Sequence, residues 1–494
     1  KFSHFSYFIQ PILFAILPIF KLFSNNFEET APIEIIILII GTIILTISLF
    51  YIFNQVFNNY SKTSIYISFL YLMTIYGDIF VPRGTYNDSI KILSGLKYLN
   101  AYFFYPIWYL LIIIFFIYLF KIKKINNLFS NFMILPSILL LIFFTYKIIS
   151  KKIKINSLIK KYDNYNNKFI NRHINQLNKI KNSPYIKKPD IYYIILDAHA
   201  SSEVLKKFFN YNLNLFTKKL KEMGFLIKND SYSNYDNTSL SIPSSLNMNF
   251  YNINNHSLSS YRFYKNNCSI FLKKIGYKII NISPYHFKFN WKLKNIFNTD
   301  TYFDFTNNFF IKTLLQNFSK LIFVKSRRKC ILNQIKKLKN SIRINGPKFI
   351  FSHFMCPHDP FVFDKKGDLR MFIQREPYFR NAYLEQLTFI DNQILIIIKQ
   401  ILKESKNPPI IILQSDHGCR MFDFSEKEIN KLNKKEKKDI MFGILNCLYL
   451  PYIKKNNFNF NVSPVNNFRI LFNSYFGTKF KILPNKCIKN TIKI

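Results

Sequence analysis

Two apolar runs of the sequence lead into side chains that can bind a metal ion. Asp197 directly follows the run Ile191–Leu196, and Asp416 and His417 lie just beyond the run Pro409–Leu413. Two carboxylates and one imidazole form a donor set that suits Zn²⁺ or Mn²⁺. The sequence therefore predicts one divalent ion that these three side chains hold together.

A third stretch, Ser231–Met248, is rich in hydroxyl groups and poor in Lys, and it predicts a loop that enters a helix. Hydroxyl side chains at a helix start can cap its free N–H groups, and a helix N-terminus favours an incoming anion. We predict that Thr238 is a nucleophile, because a divalent ion would acidify its hydroxyl and hold it for attack at phosphorus or sulfur. An ordinary Ser/Thr-rich cap is the alternative.

The chain around these residues predicts an α/β fold with a largely parallel sheet. Besides the two apolar runs, strands are expected at Phe225–Ile227, Lys278–Ile282 and Phe349–Phe354, with helical stretches between them. Strands that alternate with helices favour a sheet with helices on both faces. Ligands then bind beyond the carboxyl ends of the strands, so we expect one shared site within residues 189–494.

Residues 1–150 are predicted to form a transmembrane domain. Five apolar segments approach the ~20 residues that cross a bilayer as a helix. They are Phe5–Phe23, Ile33–Phe53, Ser64–Val81, Ala101–Phe120 and Phe129–Ile149. The loop after the first segment carries Glu28 and Glu29, whereas the loop after the fourth carries three lysines, which predicts a cytoplasmic fourth loop.

An odd number of spans then places the remainder of the chain outside the cytoplasm, as an extracytoplasmic catalytic domain at residues 189–494. Residues 151–188 are polar and basic, with Leu and Ile at helical spacing, and are predicted as a linker. This linker is either a helix that lies on the lipid headgroups or a plain solvated helix.

The chain of 494 residues carries 69 Lys and Arg against 27 Asp and Glu, a net charge of +42. Such a charge can indicate nucleic-acid binding. The lysines are dispersed among Asn and Ile and form no nucleic-acid module, so no nucleic-acid partner is expected. A compositional bias would produce the same charge, as would a basic surface that faces anionic lipid. The six cysteines contain no CxxC pair, which argues against a structural zinc site and leaves disulfides possible.

From about Pro189 onward, the order of these residues resembles the alkaline phosphatase/sulfatase superfamily. It resembles specifically the membrane-anchored branch of lipoteichoic acid synthases and lipid A phosphoethanolamine transferases, which have five spans before an extracytoplasmic domain. Thr238 with Ser241 and Pro243 matches the Thr-x-x-Ser-x-Pro pattern around that branch's nucleophile. The run Ser415–Gly418 matches the second metal-ligand motif of the family.

The resemblance implies further site residues. Asp197 lies where the first acidic metal ligand is expected, and His358 and His286 lie in segments that resemble substrate-site histidine segments. The run Ser463–Arg469 resembles a segment of sulfatase-like membrane proteins. By contrast, His353 lies inside an apolar strand and is interpreted as a core residue.

The sequence also departs from two groups within the superfamily. Ser241 begins a run like the sulfatase signature C/S-x-P-x-R but lacks its Arg, and Ala198 stands where sulfatases have a second Asp. Both differences argue against a working sulfatase. Gly418–Lys427 contains no His, whereas phosphoethanolamine transferases carry one there, which argues against a phosphoethanolamine headgroup.

The function that the resemblance implies is a metal-dependent transfer of a phosphoryl-linked headgroup, of phosphoglycerol or phosphoethanolamine type. The donor would be a membrane lipid, the acceptor an envelope glycan or lipid, and the intermediate a phosphorylated Thr238. A sulfatase or phosphoesterase of the same superfamily is the first alternative. An inactive membrane scaffold that binds anionic polymer is the second.

Overall fold

The computed structural model describes most of the chain. The described residues are 2–27, 30, 32–75, 101–122, 127–182, 187–251, 258–283, 309, 316–370, 378–420, 426–453 and 463–489. They form two compact units, of which the first comprises Lys1–Lys154 with Phe303–Phe323 and the second Ile155–Tyr302 with Val324–Ile494.

The first unit consists of long apolar helices. Helices α1 to α5 are Phe2–Asn26, Pro32–Phe57, Tyr60–Ile75, Ala101–Lys121 and Asn127–Asn182. Three described stretches are long and apolar enough to cross a membrane, namely Tyr7–Asn26, Glu34–Phe57 and Ile134–His173. Large apolar side chains such as Ile44, Tyr51 and Leu135 are exposed on these helices, as expected for surfaces that face hydrocarbon. The first unit is therefore suited to a membrane.

Three of the five predicted spans, the first, second and fifth, overlap these candidate spans. The fourth predicted segment coincides with α4, whose described apolar part Tyr109–Lys121 is a shorter apolar helix. The third coincides with α3, and residues 76–81 of that segment lie outside the described residues. Five spans and their orientation stay predictions.

Helix α5 continues through residues 151–182, which the sequence pattern predicts as a linker. Tyr162, Asn166 and Ile170 recur at a spacing of four and are all buried in the second unit. The Tyr162 hydroxyl donates a hydrogen bond to Asn247 Oδ1 at 2.9 Å. This part of the helix therefore packs against the α/β unit through one side, which neither sequence-based alternative included.

The second unit is built on a six-stranded sheet with the order β2-β6-β5-β1-β4-β3. Strands β1 to β6 are Ile191–Leu196, Leu226–Ile227, Lys278–Ile282, Lys348–Phe354, Ile410–Gln414 and Asn446–Tyr449. Strands β5, β1, β4 and β3 pair in parallel, whereas β6 is antiparallel to β5 and β2 is antiparallel to β6. This confirms the predicted α/β fold with a largely parallel sheet. The short strand β6 was not predicted.

Helices cover both faces of this sheet. Helices α6 to α15 are Ser202–Phe209, Asn214–Glu222, Thr238–Asn247, Ser259–Tyr264, Asn267–Lys274, Gln316–Ser341, Tyr378–Glu404, Glu426–Lys431, Lys434–Phe442 and Asn467–Phe476. Alternate residues of β1 enter two different cores. Tyr192, Ile194 and Leu196 pack with α6, α7, α11 and α12, whereas Tyr193 and Ile195 pack with α8, α10 and α15.

The six cysteines all have free thiols, and all but the half-buried Cys487 are buried. No disulfide forms among the described residues, although the even number of cysteines permitted one. Four of the buried cysteines act as small apolar side chains in the two cores, namely Cys268, Cys356, Cys419 and Cys447.

Candidate active site

Strand β1 brings Asp197 to the carboxyl edge of the sheet. Its backbone N–H donates to the Phe354 carbonyl at 3.0 Å, which extends the pairing with β4 by one residue. The side chain is only 1% exposed. Its Oδ2 lies 3.1 Å from His353 Nε2, and its Oδ1 lies 3.4 Å from His417 Nε2. Asp197 is therefore enclosed by imidazoles from two neighbouring strand ends.

His353 belongs to the same group of side chains as Asp197 and His417, although the sequence predicted only a core residue. It is fully buried, as expected, and it pairs in register with Ile195 of β1. Because side chains alternate along a strand, His353 and Asp197 lie on the same side of the sheet. In the sequence, the only indication of a role for His353 was its position as a polar residue near the end of an apolar strand. The pairing of β1 with β4 is needed to show that it lies beside Asp197.

The loop after β5 places Asp416 and His417 beside Asp197. Ser415 fixes this loop, because its hydroxyl donates to the His417 carbonyl at 2.8 Å and accepts from the His199 N–H at 2.9 Å. At Gly418 a Cβ atom would lie 2.3 Å from the Ile440 carbonyl oxygen, so only glycine fits. The glycine of the Asp-His-Gly sequence is therefore required because the loop passes very close to the backbone that precedes β6.

The tautomer of His417 follows from its contacts. Its Nδ1 lies 2.8 Å from the Gly418 carbonyl oxygen, an acceptor, so the proton resides on Nδ1. Nε2 then presents a lone pair towards Asp197 and lies 3.7 Å from Asp416 Oδ2. This is the form in which an imidazole binds a metal ion.

Asp197, Asp416 and His417 each have one buried atom without a hydrogen-bond partner within the described part of the chain, namely Asp197 Oδ1, Asp416 Oδ2 and His417 Nε2. Buried polar atoms without a partner are costly, and here all three are electron-pair donors that face one another. Donor atoms of Asp197, His358 and His417 lie within 4.8 Å of one another, as do those of Asp197, His353 and Asp416. The residues therefore fit a divalent metal ion.

Electrostatics keep Asp197 available as an anion. Burial alone would raise the pKa of its carboxyl, but His358, His353 and His417 outweigh that effect and hold the pKa well below its usual value. A buried carboxylate that stays ionised attracts a cation.

His358 lies at the mouth of the site. Its N–H donates to the Asp197 carbonyl at 3.1 Å, and its ring centroid lies 6.0 Å from that of His417. Gln386 Nε2 donates to the His358 carbonyl at 3.0 Å, and Arg327 donates to the same oxygen at 3.2 Å. The loop that carries His358 is therefore held from α11 and α12.

A shallow cavity opens beside His358. Its lining residues are Ala198, Pro357, His358, Asp359, Phe361, Tyr383 and Arg420. Burial lowers the pKa of the His358 imidazole, against the opposing effect of Asp359 and Asp197. Arg420 was not predicted as a site residue. The only indication in the sequence was its position three residues after His417. The Arg420 side chain and the His358 imidazole thus line the same cavity beside Asp197.

Thr238 is the first residue of α8 and is half-buried. The cap of this helix is Asn237, whose Oδ1 accepts from the Leu240 N–H at 3.1 Å. The alternative interpretation, an ordinary Ser/Thr cap, does not hold at the start of this helix, because the amide oxygen of Asn237 takes that position. Thr238 is not the cap residue, which removes the simplest alternative to a chemical role.

One turn further along α8, Ser241 binds the helix to the loop that carries Asp416 and His417. Its hydroxyl donates to the Asp416 carbonyl at 2.5 Å, and the residue is 1% exposed. Residues three apart lie on the same side of a helix, so Thr238 begins the side of α8 that contacts Asp416.

Replacement of Ser241 by Ala is expected to destabilise the protein without removing its activity. Loss of the buried hydrogen bond to Asp416 should lower the free energy of unfolding by ~1–2 kcal/mol, while turnover stays within about tenfold of wild type if the nucleophile is Thr238, as predicted. Thermal unfolding and a turnover assay of the same preparation check both parts. Complete loss of turnover in a folded Ser241→Ala protein would contradict this assignment.

The run Ser463–Arg469 holds α8 at both ends. Asn234, ahead of the helix, donates through Nδ2 to Ser463 Oγ at 2.9 Å, and Arg469 Nε donates to the carbonyl of Met248 at the helix end at 2.8 Å. Asn467 Nδ2 donates to Gln414 Oε1 at the end of β5 at 2.7 Å. This C-terminal run therefore fixes α8 relative to the strand that carries Asp416.

His286, predicted to bind substrate, lies outside the described residues, and its role stays a prediction. Asp197, Asp416, His417 and His358 come together as expected from strand ends that meet at one edge of the sheet.

A family model described as Sulfatase matches residues 189–444 of the chain. This confirms the predicted superfamily. No curated protein matches the chain.

Several solved structures are similar to the chain at low identity. The C-terminal periplasmic domain of EcEptC from Escherichia coli, in complex with Zn, is 14% identical with a TM-score of 0.39, over 58% of this chain and 83% of that chain. The periplasmic domain of phosphoethanolamine transferase EptC from Campylobacter jejuni is 14% identical with a TM-score of 0.38, over 60% and 91%. The integral membrane protein lipooligosaccharide phosphoethanolamine transferase A from Neisseria meningitidis is 10% identical with a TM-score of 0.31, over 90% and 88%. At these TM-scores the similarities establish no shared activity.

Proposed function

The chain belongs to the sulfatase family, and on that premise we propose that it transfers a phosphoryl-linked headgroup of phosphoglycerol or phosphoethanolamine type. The donor is a membrane lipid and the acceptor an envelope glycan or lipid. The observation that carries the proposal is the position of Ser241. Its hydroxyl is buried and donates to the Asp416 carbonyl. The Ser239 hydroxyl donates to Asn237 Oδ1 of the cap, which leaves Thr238 as the remaining hydroxyl at the helix start.

The contacts of Ser241 also favour transfer over sulfate-ester hydrolysis. In the sulfatase signature the nucleophile would occupy position 241 and an Arg position 245, where this chain has Ser245. Ser245 is buried as well. A Ser241 oxygen that holds the metal-binding loop is poorly placed for attack on a substrate, which supports Thr238 and phosphoryl chemistry instead.

Asp197, Asp416 and His417 are proposed to hold one divalent ion, Zn²⁺ or Mn²⁺, which when bound would acidify a nearby hydroxyl and offset phosphoryl charge. The Thr238 oxygen attacks the phosphorus of the lipid phosphodiester. The bond from phosphorus to the lipid oxygen breaks, the lipid oxygen takes up the equivalent of the proton that Thr238 has lost and leaves as an alcohol, and the headgroup remains on Thr238 as a phosphodiester. An acceptor hydroxyl then attacks the same phosphorus and loses its proton, the bond from phosphorus to the Thr238 oxygen breaks, and the Thr238 hydroxyl is regenerated with that proton.

The remaining side chains orient the phosphoryl group. The N–H groups at the start of α8 favour the phosphoryl oxygens. His358 lies at the cavity entrance and, in its protonated form, is proposed to bind a phosphoryl oxygen or to give a proton to the leaving oxygen. His286 is proposed to share the substrate contact.

The chain is further proposed to be a multi-pass membrane protein with its α/β unit outside the cytoplasm. Support comes from the three candidate spans and from the lysines Lys121, Lys123 and Lys124 in the loop after the fourth apolar segment. This placement brings the site to the lipid and glycan substrates of an envelope.

Mass spectrometry of lipids and envelope glycans tests the proposal directly. Cells that make the wild-type protein should contain a headgroup-modified acceptor that is absent from cells with Thr238→Ala at equal protein level. Ser239→Ala is the matched control, because its hydroxyl donates to Asn237 Oδ1 of the cap, and it should keep the product. An identical product profile for wild type and Thr238→Ala would refute the transferase, and sulfate release by purified protein would favour the hydrolase.

A further inference from the structure

The residue after Asp197 adopts an unusual backbone conformation. Ala198 has φ +60°, in the left-handed region that a residue with a Cβ rarely occupies. The conformation directs the Ala198 N–H at Asp416 Oδ1, 3.3 Å away. Because Oδ1 is thereby occupied, Oδ2 is the oxygen of Asp416 that faces Asp197 and His417 without a partner.

Tyr383 of α12 holds this backbone turn. Its hydroxyl donates to the Ala198 carbonyl at 3.0 Å and accepts from the Ala200 N–H at 3.1 Å. The side chain is 1% exposed, and its ring packs against Phe209 and Phe361 at centroid distances of 5.2 Å and 6.2 Å. One hydroxyl, fixed by its ring, therefore bonds the backbone on both sides of His199.

We infer that Tyr383 is a positioning residue that keeps Ala198 in the left-handed conformation and so orients the Asp416 carboxylate for metal binding. The inference rests on the proposed function, in which Asp197 and Asp416 hold the metal ion. It assigns a role to a residue of α12 that carries no recognisable motif. Tyr383 acts through the backbone of residues 198–200 and does not itself supply a donor atom to the site.

The test uses the full chain in detergent and Zn²⁺ as the probe. Tyr383→Phe removes only the hydroxyl and should weaken Zn²⁺ affinity by ~10–100-fold, as loss of a supporting contact typically does. Affinity is measured by competition with a chromogenic chelator, together with thermal unfolding in the absence of metal. Tyr277→Phe is the matched control: Tyr277 is a buried tyrosine whose hydroxyl donates to the Pro189 carbonyl at 2.8 Å, ahead of β1 and away from the site. It should keep wild-type affinity.

Rescue separates positioning from general stability. Glycine adopts positive φ without the penalty of a Cβ, so Ala198→Gly should restore Zn²⁺ affinity in the Tyr383→Phe background to within about threefold of wild type. If Tyr383→Phe does not fold, Ala198→Val gives the same answer with the hydroxyl intact. A β-branched residue is strongly disfavoured at φ +60°, and its affinity should fall.

Wild-type affinity in Tyr383→Phe, or in Ala198→Val, would overturn the inference. So would a loss of affinity that Ala198→Gly leaves unrepaired. These outcomes leave the proposed function intact as long as the wild-type chain binds Zn²⁺. A wild-type chain that binds no stoichiometric metal would overturn the proposed metal site, and the inference with it.

Discussion

Thr238→Ala is expected to lower turnover by roughly four orders of magnitude or more, since removal of a nucleophile leaves only binding and electrostatic contributions to the rate. The fold should be unaffected, because Thr238 is half-buried and Asn237 caps the helix. Thr238→Ser keeps a hydroxyl at the same position and should retain measurable turnover. Purified variants assayed with a lipid donor give these rates.

Two serines beside Thr238 serve as controls for this result. Ser239→Ala and Ser241→Ala each remove a hydroxyl within the first four residues of α8. The Ser239 hydroxyl donates to Asn237 Oδ1, and the Ser241 hydroxyl donates to the Asp416 carbonyl. Both should keep turnover within about tenfold of wild type. If Ser241→Ala instead lost activity while Thr238→Ala kept it, the nucleophile would have been assigned to the wrong residue.

Asp416→Asn should abolish metal-dependent stabilisation together with turnover. Asparagine preserves the size of the side chain and the acceptor for the Ala198 N–H, but it removes the charge that faces the proposed ion. In the wild-type chain, Zn²⁺ at about 100 times its Kd should add ~2.7 kcal/mol to the free energy of unfolding. The variant should lack this increase, and a chelator should reverse it in wild type.

The same variant has a second expected effect in the absence of metal. Asp197 and Asp416 are buried carboxylates on either side of His417, so neutralising one of them relieves repulsion. Metal-free Asp416→Asn should therefore unfold at the same or a higher temperature than metal-free wild type. Asp439→Asn is the control, since Asp439 accepts from the Tyr232 hydroxyl away from the site. An undiminished Zn²⁺ response in Asp416→Asn would contradict the proposed ligand set.

The sequence predicted the parts of the fold and site that depend on local patterns. Apolar runs indicated β1 and β5, and the carboxyl ends of parallel strands meet at one edge, so Asp197, Asp416 and His417 could be placed together in advance. The antiparallel strand β6 escaped prediction, because it has four residues and begins with Asn446.

Residues that depend on register or on distant packing could not be predicted. His353 reaches Asp197 only through the pairing of β1 with β4, which no local pattern specifies. Tyr383 lies in the long helix α12 and meets the site through two backbone hydrogen bonds. The cap residue Asn237 could not be identified in advance, because any of several neighbouring polar residues satisfies the cap preference.

In the proposed mechanism Thr238 carries the headgroup during turnover. Full-length protein mixed with its lipid donor, without an acceptor, and quenched in acid should show a phosphodiester-linked headgroup on the peptide that contains Thr238. Fragmentation mass spectrometry would place the added mass on Thr238, and the adduct should disappear when acceptor is supplied. Turnover without any adduct on Thr238, or an adduct on Ser241, would contradict this claim.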